Sequence, residues 1–186
     1  MRVISGDYGG RPLKSLPGDN TRPTGDKLKE TLFNIIGPYF RGGRVLDLYA
    51  GSGALGIEAV SRGIDEAVLV DMNREAQAII KENIQMTKEE HKFELITTPA
   101  GLALDTLASR NNPFKLVFLD PPYAKQMITE DIQKLIDNDL LADIAMVVCE
   151  TGRDVELPET IGDLSIWQLK KYGKTTLTIY LKGDIA

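Results

Sequence analysis

The chain has 186 residues, 42% of them hydrophobic, with one Cys, one His and a formal net charge of −5. That length suits a single domain with a sizeable core, and no stretch approaches the ~20 apolar residues of a membrane-spanning helix. One Cys and one His exclude an intrachain disulfide framework and leave too few ligands for a zinc site or a Cys/His catalytic pair, so no metal, no membrane and a reducing cytoplasm are expected.

The start, Met1-Arg-Val-Ile-Ser-Gly6, lacks the apolar region of a signal peptide. Gly6, Gly9, Gly10 and Pro12 punctuate the first eighteen residues, which read as a β-hairpin or extended arm. Leu28, Leu32, Phe33, Ile35 and Ile36 then fall on one helical face, with Lys27, Lys29 and Glu30 off it. The spacing predicts a helix over 24–36, capped by Thr24 or Asp26 and stopped by Gly37-Pro38. After Gly42-Gly43 the rhythm is strand, turn, helix, repeated. Strands are predicted over 44–49, 67–70, 93–97, 115–119 and 144–150, and helices over 54–62, 74–86, 101–108 and 129–138. The alternation implies an α/β fold: a mostly parallel sheet with helices on both faces. Two last strands, over 164–171 and 175–181, read as an antiparallel terminal hairpin around Tyr172-Gly-Lys174. The organisation expected is one domain over 1–186, with residues 1–43 an N-terminal extension and 44–186 the core. Cys149, in the apolar run from Ile144, reads as a core residue, and His91, in a charged connector, as solvated.

Charge is unevenly spread. Residues 1–44 hold eight Lys/Arg against four Asp/Glu, so the rest of the chain stands at −9. A basic N-terminal segment on an acidic body is an electrostatic footprint for a polyanion. Arg11, Lys14, Arg22, Lys27 and Lys29 are its candidate phosphate contacts.

Arg44-Val-Leu-Asp-Leu-Tyr-Ala-Gly-Ser-Gly53 is a strand running into a glycine turn, with a helix beginning at Ala54. Ligands of open parallel sheets bind at such turns, off the carboxyl ends of the strands. Gly51 and Gly53 allow close approach to the backbone. Asp71 ends the next strand, where a carboxylate can accept both hydroxyls of a ribose. Gly51-Ser-Gly-Ala-Leu-Gly56 also satisfies the dinucleotide fingerprint, but Asp47 faces the same turn. A carboxylate there repels a pyrophosphate and suits an ammonium, such as the methionine end of S-adenosylmethionine.

Asp120-Pro-Pro-Tyr123 follows the apolar strand that begins at Lys115. Neither Pro121 nor Pro122 has an N–H, so with the Asp120 carboxylate the loop offers acceptors only. Acceptors suit an exocyclic amine, whose two N–H donors they hold while its lone pair faces an electrophile. Tyr123 supplies a surface on which an unstacked base can rest. By the strand count Asp120 emerges on the same edge as Asp47 and Asp71.

Asp120 to Tyr123 resembles the catalytic motif of amino-methyltransferases, and Val45 to Gly53 their cofactor motif. Thr21-Arg-Pro-Thr-Gly-Asp-Lys-Leu-Lys-Glu-Thr-Leu-Phe-Asn34, the opening Arg2-Val-Ile-Ser-Gly6 with Gly10-Arg11, and the closing Lys171-Tyr-Gly-Lys-Thr175 resemble the 16S ribosomal RNA guanine-N2 methyltransferase family, the small-subunit methyltransferase D family. The likeness covers nearly the whole chain. It implies a Rossmann-like class I methyltransferase fold with a seven-stranded sheet, acting on 16S rRNA. A monomer is expected, and the few candidate phosphate contacts point to an assembling small ribosomal subunit rather than naked RNA as its substrate. The likeness also implies S-adenosylmethionine held by Asp47, Tyr49, Ala50, Gly51, Ser52, Gly53, Asp71, Met72 and Ala100, and a guanine held by Asp120, Pro121, Pro122 and Tyr123. The chain departs from that pattern twice. Lys29 stands where the signature has arginine, and Pro99-Ala100 follows the third strand where these enzymes carry the Asp that holds the adenine amine. The same chemistry on adenine N6 of DNA or on a protein glutamine, and a dinucleotide-dependent oxidoreductase, are the alternative readings.

Overall fold

A computed structural model of the chain describes residues 1–17, 23–122 and 127–184. Two compact units divide it, Met1–Pro99 and Ala100–Ala186. Between them they hold eight strands in a mixed α/β fold, parallel except at the C-terminal end.

In the first unit three parallel strands lie in the order β3 (Phe93–Ile96), β2 (Glu66–Val70), β1 (Arg44–Asp47). Val45, Leu46, Leu69 and Val70 are buried in continuous apolar runs rather than alternating, as strands covered on both faces require. Helices α2 (Ala54–Ser61) and α3 (Arg74–Thr87) follow β1 and β2. Asn73 caps α3, its side-chain oxygen accepting from Ala76 N at 3.1 Å. Helix α1 (Pro23–Ile36) begins with proline at its first position, where the missing N–H has no partner to lose. The expected cap at Thr24 falls on a side chain outside those described; Asp26 lies in the first turn.

The N-terminal arm folds back on itself antiparallel: Arg2 bridges Pro12, Val3 N donates to Arg11 O at 2.9 Å, Gly10 N to Val3 O at 2.8 Å and Leu13 N to Met1 O at 2.9 Å. It buries Val3, Tyr8 and Leu13. The Glu58 carboxylate on α2 accepts from the backbone of Ile4 at 2.9 Å and Ser5 at 3.1 Å. These bonds tie the arm to the unit from within the core, since Glu58 is fully buried.

The second unit orders its five strands β4 (Phe114–Leu119), β5 (Leu141–Gly152), β8 (Thr175–Lys182), β7 (Leu164–Tyr172), β6 (Thr160–Ile161). β4 and β5 are parallel, and the rest pair antiparallel. The eighth strand, β6, is absent from the seven expected. Two residues are too few to show a period, and Thr160 and Ile161 pair only with Ser165 and Leu164. Helices α4 (Ala100–Ala108) and α5 (Ile128–Asp137) complete the unit. Cys149 is fully buried in β5, its thiol pushed up by burial. His91 lies exposed in a single 3-10 turn over Glu90–Lys92. Among the described residues no helix is long and apolar enough to cross a membrane.

Candidate active site

β1 ends at Asp47, and the chain turns through Tyr49 to Gly53 before α2 starts. Two glycines make this turn, Gly51 at φ +60° and Gly53 at φ +83°, both in the left-handed region that costs other residues about 1–2 kcal/mol. A Cβ on Gly51 would meet no atom within 4 Å, so open space lies beside the backbone there. At Gly56 a Cβ would overlap Leu69 Cδ2, so this glycine serves the packing of α2 on β2.

The two carboxylates of the turn differ. Asp71, just past β2, accepts from Gly51 N at 2.9 Å through Oδ2 and from Asn73 N at 2.9 Å through Oδ1. Asp47 is 1% exposed, and its Oδ2 accepts only a long bond, 3.3 Å, from Gly56 N. Its Oδ1 is buried with no hydrogen-bond partner. Burial pushes the Asp47 carboxyl up to about 7, and the nearby Asp71 charge adds to the rise. A buried carboxylate with an orphaned oxygen at a ligand turn fits a cationic group brought by a ligand, the role foreseen for the methionine ammonium.

The rest of the foreseen cofactor set is placed as follows. Ala50 and Ser52 are buried, and Tyr49 is half-buried. Met72 is 66% exposed next to Asp71, leaving an apolar surface free for a flat ring. Ala100 is the first residue of α4, in the second unit. Two residues of the first unit join the set without having been foreseen. Asn83, on the buried face of α3, donates to Ser52 O at 2.8 Å and to Lys14 O at 3.0 Å, bracing the glycine turn against the N-terminal arm. Thr98, two residues past β3, has a buried Oγ1 with no partner.

At the end of β4, Asp120 is half-buried, Pro121 buried and Pro122 exposed; Tyr123 lies outside the described residues. The parallel register pairs Leu119 with Cys149, which sets Glu150 of β5 beside Asp120. The two carboxyls interact through a side-chain hydrogen bond. Burial raises the Glu150 carboxyl, and the bond with Asp120 pulls it the other way. Glu150 was missed because it lies in a strand whose residues are otherwise read as core.

The basic patch needs correction at Lys29. Its side chain is 5% exposed, and its ammonium donates to Arg2 O at 2.6 Å and pairs with Glu58 at 3.3 Å. Burial lowers its pKa while Glu58 opposes the shift. An ammonium so enclosed holds the fold and is not presented to a phosphate. The Arg11 guanidinium donates to Met86 O and Thr87 O at the end of α3 and lies 5.4 Å from the centre of the Tyr8 ring. Lys14 is exposed in a 2.9 Å pair with Glu82, and Lys27 is exposed. Arg22 lies outside the described residues.

Parallel strands, a positive-φ glycine turn carrying a buried carboxylate with one unpaired oxygen, and an antiparallel terminal hairpin match the fold of a class I methyltransferase. The solved structure of a candidate methyltransferase of Escherichia coli matches over 98% of both chains, with a TM-score of 0.84 at 34% identity. A Streptococcus pyogenes structure, known only as a conserved protein, matches 83% of this chain and 94% of its own at TM-score 0.80 and 54% identity. A candidate rRNA methyltransferase of Bacillus subtilis is 44% identical over 98% of this chain and 99% of its own. The ribosomal RNA small subunit methyltransferase D of Escherichia coli is 33% identical over 97% of this chain and 89% of its own. The model of the family described as Conserved hypothetical protein 95 matches residues 1–181, and the chain belongs to that family.

Proposed function

We propose that the protein transfers a methyl group from S-adenosylmethionine to the exocyclic N2 amine of a guanine in small-subunit ribosomal RNA. The observation that carries this reading is the Asp47 carboxyl, buried beside a ligand turn with Oδ1 unpaired. Bound, the cofactor supplies an electrophilic methyl on a cationic sulfur. Asp47 would hold its ammonium and Asp71 its ribose hydroxyls, with Met72 lying against the adenine. The buried Thr98 Oγ1 offers the acceptor for the adenine amine that Pro99-Ala100 fails to supply.

The amine falls to the second unit. Asp120 and the carbonyls around Pro121 and Pro122 accept its N–H groups and aim the nitrogen lone pair, while Tyr123 stacks the base. Asp120, with Glu150 hydrogen-bonded behind it, would take the proton that the methylated nitrogen sheds. No histidine base is then required. The names of the Bacillus subtilis and Escherichia coli relatives support rRNA as the substrate.

Transfer of labelled methyl groups to small-subunit particles, naked 16S rRNA and duplex DNA tests the reading, followed by identification of the modified base. N2-methylguanine in rRNA is expected. N6-methyladenine in DNA, or a labelled protein glutamine, would overturn it.

A further inference from the structure

We propose that the β7–β8 hairpin is an RNA-docking surface, with Lys170, Lys171 and Lys174 contacting phosphates and Tyr172 stacking a base; this rests on RNA being the substrate. In a chain of net charge −5, residues 164–183 contain four lysines and no Asp or Glu. Lys170, Lys171 and Lys174 are exposed. Lys14, Lys29, Arg44, Arg62, Lys92 and Lys134 are held in ion pairs, and these three, among the described residues, are not. Exposed ammonium groups without carboxylate partners are the form in which a protein meets a polyanion.

The cations are interleaved with apolar surface. Trp167 is 37%, Leu169 52% and Tyr172 38% exposed along the same strand. Aromatic faces between cations are the arrangement on which unpaired bases stack. The tip is also fixed in place. Tyr172 pairs with Thr175, leaving a two-residue turn whose Gly173 has φ +60°. Arg153, just past β5, donates to Lys174 O from its backbone at 3.0 Å and to Gly173 O from its guanidinium at 2.9 Å. A pinned tip loses little entropy when it docks.

Register connects this surface to the reacting end of the unit. Lys170 pairs with Leu177, and Leu177 pairs with Glu150, the acid bonded to Asp120. Directly opposed residues of neighbouring antiparallel strands share a face, so Lys170 and Glu150 lie on one face, two strand spacings or about 10 Å apart. Tyr172, two residues on from Lys170, shares that face. A strand of RNA whose base enters at Asp120 would pass its flanking phosphates over Lys170. Lysines on an edge strand can instead serve only to block edge-to-edge aggregation, and the experiment separates the two.

The test compares wild type, Tyr172→Ala and the triple variant Lys170→Ala/Lys171→Ala/Lys174→Ala for binding to a 16S rRNA transcript across a salt series. Calorimetry with S-adenosylmethionine monitors the fold and should give one affinity for all three. The triple variant should lower the slope of log affinity against log salt by about 2 to 3, the release expected of three phosphate contacts. Tyr172→Ala should keep the slope and weaken binding roughly five- to hundredfold. An unchanged slope in the triple variant, with or without aggregation, overturns the docking surface. So does wild type that binds the transcript with no salt dependence. Methylation of DNA or protein in place of rRNA would sink the activity reading alone, because the docking surface is judged on RNA binding.

Discussion

The Lys29 ammonium lies 3.3 Å from the Glu58 carboxylate, with both side chains at most 5% exposed. Arg62 meets the other carboxylate oxygen at 2.7 Å. Removing Glu58 strands two buried cations and the Ile4 and Ser5 amides together. Glu58→Gln should therefore cost about 3 to 5 kcal/mol, read as a shift of the urea midpoint. Lys29→Met should cost less, because Arg62 still neutralises Glu58. It should leave the salt slope of RNA binding unchanged; a shallower slope would show that Lys29 reaches a phosphate after all.

Asp47 makes cofactor binding depend on pH. Its carboxyl is raised to about 7 in the free protein, and an ammonium against Oδ1 lowers it again in the complex. The complex then binds fewer protons than the free protein. Affinity should fall as pH drops below ~7, by at most about tenfold per unit, and fall again above about 8, where the ligand's own α-amino group loses its proton. Asp47→Asn should bind weakly without the acid-side fall. Calorimetry in buffers of different ionisation enthalpy would detect the released proton. A wild-type profile with no acid-side fall would place the ammonium elsewhere.

How much of this was legible in the sequence follows from the distance over which each feature is built. The glycine turn is contiguous, so its strand, positive-φ glycines and carboxylate could be read in order. Asp71 needed only the next strand. Lys29 misled because its helical position lies off the apolar face, and its burial is caused by Glu58 and by Arg2 O, 27 residues away. Asn83 acts on Ser52 at a separation of 31 residues, and Glu150 acts on Asp120 through strand register. No local pattern records either. The basic hairpin was hidden by arithmetic: averaging the chain beyond residue 44 to −9 buried a stretch that carries only positive charge.

Glu150 should act on rate through Asp120. Glu150→Gln keeps a hydrogen bond to Asp120 but removes a titrating carboxyl that burial raises. The turnover number should fall while KM for RNA changes little, and the acid limb of the rate–pH profile should move to lower pH. A Glu150 that only stabilised the strand would lower the denaturation midpoint and leave the profile in place. Asp120→Asn should lose orders of magnitude in rate with cofactor affinity nearly unchanged, since a donor then faces the substrate amine.

Gly51 and Gly56 lie in one glycine-rich run and should fail in different ways. At Gly56 a Cβ would overlap Leu69 Cδ2, a branched side chain in the core. Gly56→Ala should therefore lower stability by about 1 to 3 kcal/mol, as overpacking does, and weaken cofactor binding mainly through the loosened fold. At Gly51 a Cβ meets nothing within 4 Å, so the cost of Gly51→Ala is the left-handed backbone alone, about 1–2 kcal/mol. The new methyl group would instead fill the open space beside the turn that the ligand reading assigns to the cofactor. Gly51→Ala should reduce S-adenosylmethionine affinity at least tenfold, well beyond what its change in stability implies. Denaturation and calorimetry on both variants check the pair. Cofactor affinity in Gly51→Ala equal to wild type would mean that the ligand does not approach the backbone at this turn, and the assignment of Asp47 and Asp71 to it would fall as well.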